Sequence, residues 1–182
     1  MVFFDTDCLA AFLWVRREYL LVQLCLGQLI LPYPVFKELL RVPPLRKPVN
    51  GLLHQGYFQR MEILTGTPEA RTYFELTTRG VGGLRPLGNG EAAALTLAKA
   101  HNGFVASNNF RDIGPYLSMY SLRNLPTGFI LGQAHANGLI TEAEGNQIWT
   151  AMLSRKRILP ASTFSQYLQS TYRNDHQAFL AP

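Results

Sequence analysis

The segment from Gly88 to Asp112 constrains the fold more than any other part of the chain. It predicts a glycine turn, a helix from Glu91, a second turn at Gly103, a short apolar strand (104–106) and a polar run (107–112). The pattern places an acid in the first turn of a helix and polar side chains just past the end of a strand. Helix starts and strand ends are where α/β folds gather ligands.

The rest of the chain also alternates short apolar segments with helical ones. Strands are predicted at 2–4, 28–31 and 58–64, with an edge strand near 121–125 that Pro126 limits. The alternation predicts an α/β fold, a three-layer α/β/α sandwich with a mainly parallel sheet of four to five strands. Residues 1–160 form the predicted domain, and 161–182 form a helical tail packed on it.

Capping and breaker signals divide the helical segments. Thr6 or Asp7 is expected to cap a helix over 8–15, and the Pro43-Pro44 pair is expected to end the helix begun at Pro34. A short helix is predicted over 49–55. Thr127 is expected to cap a helix that runs to residue 135, and 141–144 has the capping-box pattern that opens the next one.

Composition bounds the class of protein. The 17 basic and 12 acidic residues give a net charge of +5, which fits a polyanionic partner such as nucleic acid but equally fits a merely basic protein. Cys8 and Cys25 do not make a disulfide scaffold and are interpreted as reduced core residues of a cytoplasmic protein. The four histidines at 54, 101, 135 and 176 have no zinc-ligand spacing.

The apolar run from Leu9 to Pro32 raises the question of a membrane. Arg16, Arg17 and Glu18 interrupt it, and three charges at bilayer depth would cost several kcal/mol. The start of the chain lacks a basic leader and a cleavage site. Neither secretion nor membrane insertion is expected.

Acids elsewhere in the chain occupy positions similar to that of Glu91. Asp5 ends the first strand, Glu38 lies on the helix after the second, and Asp112 follows the strand at 104–106 together with Asn109. Parallel strands place their carboxyl ends at one edge of the sheet, so these groups are expected to converge. Crowded carboxylates repel one another unless a cation neutralises them, and hard oxygen ligands suit Mg²⁺ or Mn²⁺.

Each acid also has a plain structural explanation. Asp5 could cap a helix, Glu38 could lie on a solvated helix face, and Glu91 and Asp112 could be favourable first-turn acids. The occurrence of all four acids at such positions favours a shared metal site over these separate structural explanations.

Four of these segments, with their order and spacing, resemble a PIN domain, the nuclease fold of many toxins and RNA-processing factors. They are Phe4-Asp5-Thr6-Asp7, Pro34-Val35-Phe36-Lys37-Glu38-Leu39, Gly90-Glu91-Ala92-Ala93-Ala94-Leu95 and Val105-Ala106-Ser107-Asn108-Asn109. The third is similar to the subgroup in which a Gly-Glu pair opens the helix carrying the third acid. The segment 126–141 is similar to that subgroup's C-terminal helix pair, and the resemblance covers roughly residues 2–160.

The resemblance implies an Mg²⁺- or Mn²⁺-dependent endoribonuclease, with the toxin of a toxin–antitoxin pair as one role. The metal set it implies is Asp5, Glu38, Glu91, Asn109 and Asp112, and the residues that would orient these ligands are Thr6, Ser107 and Asn108. Its catalytic members are Asp5, Glu38, Glu91 and Asp112. The chain departs from the family at Asn109, where Asp is usual, and Asp112 is the candidate replacement. Arg111 and Arg16 are candidates for phosphate contact.

Two other classes remain open. A module with the same fold but without catalysis would bind RNA or a protein partner, and Asn at both 108 and 109 motivates it. A nucleotide-binding α/β protein is disfavoured because the glycine-rich segment 80–90 has no lysine followed by Ser or Thr. The aromatics Tyr57, Tyr73 and Tyr167 fit either the core or the groove of a homodimer or an antitoxin.

Overall fold

The computed structural model describes residues 1–24 and 26–174. The expectations for Cys25, for His176 and for the last part of the tail lie outside these residues. The strands are β1 (Val2–Phe4), β2 (Leu29–Pro32), β3 (Phe58–Met61) and β4 (Phe104–Ala106). The helices are α1 (Thr6–Trp14), α2 (Tyr19–Gln23), α3 (Tyr33–Leu40), α4 (Pro43–His54), α5 (Pro68–Thr78), α6 (Asn89–His101), α7 (Phe110–Met119), α8 (Thr127–Ala136), α9 (Glu142–Ser154) and α10 (Phe164–Tyr167), which continues into a π-helical turn (Leu168–Tyr172).

The described strands form one parallel sheet in the order β3-β2-β1-β4. β1 pairs with β2 through Val2 and Leu29, and with β4 through Phe4 and Ala106. The chain moves outward to β3 on one side and returns to β4 on the other. The strand order therefore reverses between β1 and β4, and the crevice at the carboxyl ends of such strands is the usual ligand site of an open α/β sheet.

Alternating side chains of the buried strands fill two separate cores. Val2 and Phe4 pack with α1, α3, α4 and the C-terminal helices, whereas Phe3 packs on the opposite face with α6 and α7. Leu31 and Ile30 of β2 divide in the same way. The predicted three-layer α/β/α sandwich is confirmed, with both faces of a four-strand parallel sheet covered by helices in the described part of the chain.

Several local expectations are wrong. The predicted cap at Thr6 or Asp7 is wrong, because the helix begins at Thr6, two residues before the predicted start. Asp5 caps α1 instead, with its Oδ1 accepting the Cys8 amide at 2.7 Å, which agrees with the plain structural explanation given for Asp5. Pro43 and Pro44 open α4, where proline fits because the first helical amides need no acceptor within the helix. Pro126 occupies the N-cap of α8, so Thr127 is its first residue.

The predicted edge strand near 121–125 is reduced to one isolated bridge between Val105 and Asn124. The capping box at the start of α9 is confirmed. The Glu144 carboxylate accepts the Thr141 amide at 2.7 Å, and the Thr141 hydroxyl accepts the Glu144 amide at 3.2 Å.

The tail packs on the body through aromatic side chains. Phe164 and Tyr167 are fully buried, and both rings contact Trp149 of α9 with centroids 5.8 and 5.2 Å away. Gly145 makes room for this packing, because a Cβ there would lie 2.2 Å from the Phe164 ring. Tyr167 therefore belongs to the core and offers no exposed surface for a partner.

None of the helices in the described ranges has the length and apolarity needed to cross a membrane.

Removing the Tyr167 side chain tests whether the tail belongs to the cooperative core. We expect Tyr167→Ala to lower the free energy of unfolding by about 3–5 kcal/mol, because a fully buried aromatic leaves a cavity. Urea unfolding would measure the loss. Tyr57→Ala is the control, since Tyr57 is 48% exposed and its loss should change stability by under about 0.5 kcal/mol. Equal stability of the two variants would contradict the packing.

Candidate functional site

Asp5 lies at the point where the strand order reverses. Its backbone amide donates to the Ala106 carbonyl oxygen at 2.9 Å, which joins the ends of β1 and β4. Its side chain is 2% exposed. The oxygen Oδ1 accepts the Cys8 amide and so caps α1, whereas Oδ2 is buried without a hydrogen-bond partner. Helix capping accounts for one carboxylate oxygen of Asp5 and leaves the other unexplained.

Burial raises the pKa of Asp5 from 3.8 to about 7. The Cys8 amide and the nearby Ser107 hydroxyl oppose the rise in pKa, although Ser107 does not reach Asp5 with hydrogen-bond geometry. The negative charges of Asp7 and Glu91 add to the rise. Asp5 is thus a carboxyl group whose charged form is poorly stabilised by the protein around it.

A cavity of about 220 Å³ opens beside Asp5. Glu38 from α3 and Glu91 from α6 line it as well, so three of the predicted acids share one space at the carboxyl edge of the sheet. Gly90 permits this approach of α6 to the other two segments. A Cβ at Gly90 would lie 2.6 Å from the Thr6 hydroxyl and 3.0 Å from Glu38 Oε2. Glycine at this position thus leaves room for the side chains of Thr6 and Glu38 beside the start of α6.

Hydrogen bonds fix the two glutamates. The Thr6 hydroxyl donates to Glu38 Oε2, as expected of a residue that orients a ligand. Glu91 Oε2 accepts the Gly88 amide at 3.2 Å, half of a capping box at the start of α6, where acidic residues are common because the helix dipole is positive at this end. The first-turn explanation of Glu91 therefore holds alongside its position on the cavity wall.

Asn109 lies between two carboxylates. Its Nδ2 donates to Glu91 Oε1 at 2.6 Å and to Asp112 Oδ2 at 2.7 Å. Both neighbours only accept, so the orientation of the amide is fixed by its partners. The Asp112 carboxylate also pairs with the Arg85 guanidinium and, at 3.6 Å, with Arg111 Nε. Asp112 is connected to Glu91 only through the bridging Asn109 amide, and it is not among the residues that line the cavity.

Ser107 and Asn108 shape the loop after β4. The Ser107 amide donates to the Asn124 side chain at 3.1 Å, and its hydroxyl accepts the Asn109 amide at 3.2 Å. The Asn108 side chain accepts the Thr127 amide at 2.9 Å at the start of α8. These bonds anchor the turn that holds Asn109 and do not bring Asn108 to the cavity.

An ion pair that the sequence did not suggest borders the same cavity. Asp7 lines its wall, and Arg157 Nη1 approaches Asp7 Oδ1 to 2.5 Å. Arg157 lies just past the C-terminal end of α9, where the helix dipole favours cations, but its partner Asp7 is 150 positions away in the chain. Asp7 thus adds a fourth carboxylate to the cavity, and Arg157 supplies its counter-charge.

The two arginines proposed for phosphate contact have different positions. Arg111 is 83% exposed and flanks Asp112 at the edge of the site. Arg16 lines a separate hollow with Tyr19 of α2 and Lys47 of α4, together with Tyr57. Only Arg111 is placed near the acidic group.

Within residues 1–24 and 26–174, no three His, Cys, Asp or Glu side chains are grouped closely enough to form a ready metal site. The carboxylates share a cavity, but hydrogen bonds from Thr6, Asn109 and Gly88 orient the glutamates. Comparisons with protein-family models, curated proteins and solved structures give no match.

Replacing Asp5 by Asn tests the buried charge. Asn keeps a capping oxygen, so the helix start is preserved. Because the folded pKa of Asp5 is raised, stability should fall in the wild type as pH rises from about 4 to about 7. We expect Asp5→Asn to raise the free energy of unfolding by about 2–4 kcal/mol at pH 8, with the gain vanishing at pH 4. Urea unfolding at both pH values measures it.

Glu62→Gln serves as the control for that experiment, since the Glu62 side chain is 48% exposed. Its stability should stay within about 0.5 kcal/mol of the wild type at both pH values. A pH-independent effect of Asp5→Asn would contradict the buried-charge account.

Replacing Asn109 by Asp would turn two donated hydrogen bonds into contacts between like charges. Without divalent cations, we expect a loss of about 3 kcal/mol in the free energy of unfolding. Millimolar Mn²⁺ should restore much of it, because three carboxylates would then share a cation. The control Asn50→Asp adds the same charge on the exposed face of α4 and should lack the Mn²⁺ response. Unchanged stability of Asn109→Asp in EDTA would overturn the role assigned to the amide.

Proposed function

We propose that this chain is a PIN-type endoribonuclease that uses Mg²⁺ or Mn²⁺. The observation that carries the proposal is the shared cavity of Asp5, Glu38 and Glu91, which come from three separate segments and meet where the strand order reverses. The resemblance of the sequence motifs to PIN domains adds to it.

The donor set fits a hard divalent cation. Carboxylate oxygens are the ligands that Mg²⁺ and Mn²⁺ favour. Asp5 Oδ2 is buried and unpartnered, and the Thr6 bond occupies only one of the two Glu38 oxygens. A bound cation would lower the pKa of Asp5, stabilise charge on a phosphodiester and increase the acidity of an attacking water.

The protein's own groups prepare the site for an anionic substrate. Arg157 compensates Asp7 on the cavity wall, and Arg85 and Arg111 compensate Asp112 at its edge. The exposed Arg111 is well placed to meet a phosphate as it approaches. Asn109 orients Glu91 through one hydrogen bond and joins it to Asp112 through a second. As an amide, it does so without adding another negative charge.

One observation favours the second candidate, a PIN-fold module without catalysis that binds RNA or a protein. The Asn109 amide already donates to Glu91 and Asp112, which satisfies both carboxylates without a cation. Calorimetry with Mn²⁺ separates the two. Binding that is abolished in Glu91→Gln supports the nuclease, whereas no Mn²⁺ binding by the wild type supports the module.

Cleavage of a labelled single-stranded RNA with Mn²⁺ tests the nuclease directly. We expect Asp5→Asn to reduce the rate at least about 100-fold, because the loss of a charged ligand weakens the metal site. Loss of folding cannot explain that result if Asp5→Asn is more stable, as expected above. Glu69→Gln, in the first turn of α5, is the matched control and should keep the wild-type rate. Equal cleavage by the wild type and Asp5→Asn would refute the proposal.

The toxin role and an antitoxin or homodimer partner are a further part of the proposal, motivated by the resemblance alone. Of the aromatics suggested for such a contact, Tyr57 is 48% exposed and Tyr167 is buried. A small reading frame beside this gene whose product co-purifies with the chain and blocks cleavage would establish the toxin role.

A further inference from the structure

A second hollow adjoins the acidic cavity. It measures about 150 Å³, and Tyr33, Lys37 and Arg41 of α3 form one side of it, with Tyr73 of α5 also in its wall. Glu38 and Asn89 line both this hollow and the acidic cavity. A ligand seated in the hollow would therefore be next to the carboxylates.

The two cations of the hollow form no ion pair with a carboxylate among the described residues, although Glu38 also lines the hollow. Lys37 and Arg41 are exposed, and in the described ranges neither lies within 4.0 Å of an acidic oxygen in an ion pair. Lys37 Nζ lies 5.7 Å from the centre of the Tyr33 ring. Two unpaired positive charges beside an acidic cavity favour an anionic ligand whose charge is distributed along a chain.

The aromatic ring is held in position. Tyr33 is 37% exposed, and the Arg60 guanidinium packs over both its ring, at 5.3 Å, and the ring of Phe36, at 5.6 Å. Tyr33 is also the first residue of α3, ahead of Pro34, so its backbone is constrained. The Tyr33 ring is thus positioned before any ligand arrives.

We infer that this hollow binds one unpaired nucleotide of a single-stranded RNA, next to the linkage that faces the acidic cavity. The base stacks on Tyr33, and the adjoining phosphates meet Lys37 and Arg41. Its size accommodates one base, and stacking on a protein ring needs a base whose face is not covered by a neighbour. The inference rests on the proposed function and adds to it the residues that select an unpaired strand.

Binding of a fluorescent ten-nucleotide RNA, followed by anisotropy in EDTA so that no cleavage occurs, tests the hollow. We expect Tyr33→Leu to raise Kd about tenfold, the usual effect of losing one base stack. Lys37→Gln and Arg41→Gln should each weaken binding and reduce the salt dependence by about one released ion. Tyr57→Leu and Lys47→Gln, from the hollow that contains Arg16, are matched controls expected to keep the wild-type Kd.

An unchanged Kd in Tyr33→Leu and Lys37→Gln, or an equal loss in Tyr57→Leu, overturns the inference. If Tyr33→Leu proves unstable in urea, the exposed Lys37→Gln decides. Mn²⁺-dependent cleavage with no effect of Tyr33 or Lys37 on Kd refutes the hollow but keeps the nuclease. RNA binding that depends on Tyr33 without cleavage by the wild type refutes the nuclease and keeps the hollow as a binding site.

Discussion

The position of the Asp5 carboxylate is the constraint on which the rest of the site depends. One oxygen starts α1 by accepting the Cys8 amide, and the backbone of the same residue bonds to the end of β4. The strand, the helix and the neighbouring strand end therefore meet at a single residue. Its second oxygen is buried at the carboxyl edge of the sheet, without a hydrogen-bond partner among the described residues. Buried carboxyl groups with raised pKa values are found frequently at functional sites.

Close packing at Gly90 brings a further carboxylate, that of Glu91, to the cavity beside Asp5. α6 approaches α1 and α3 so closely that a methyl group would collide with Thr6. This approach brings Glu91 to the cavity that Asp5 and Glu38 also line. The site thus depends on the absence of one side chain as much as on the presence of three acids.

Much of the sheet and of the acidic cavity could be predicted from local sequence patterns. The strands at Val2–Phe4 and Phe104–Ala106 and the acid at the start of α6 follow from apolar runs and turn residues. The convergence of Asp5, Glu38 and Glu91 follows from the parallel sheet. Patterns failed where one residue has two competing uses: Pro43 is as suitable for starting a helix as for following one.

The remaining features depend on tertiary contacts that no local pattern carries. Nothing in the sequence around Asn109 indicates that its side chain donates to both Glu91 and Asp112. That geometry exists only when α6 and α7 are packed together. The sequence predicts a tail that packs on the body, but the position that Tyr167 takes there depends on Gly128 of α8, where a Cβ would lie 2.8 Å from the Tyr167 ring.

The Asp7–Arg157 pair has a consequence for the order in which the site is assembled. The two residues are 150 positions apart in the chain, whereas Asp5, Asp7 and Glu38 all belong to its first quarter. During synthesis these three acids emerge together long before the arginine that balances one of them. The contact that pairs Asp7 with a cation spans 150 positions, so it forms only after Arg157 has been synthesised. The charge balance of the acidic cavity is therefore completed late, although three of its carboxylates are present early.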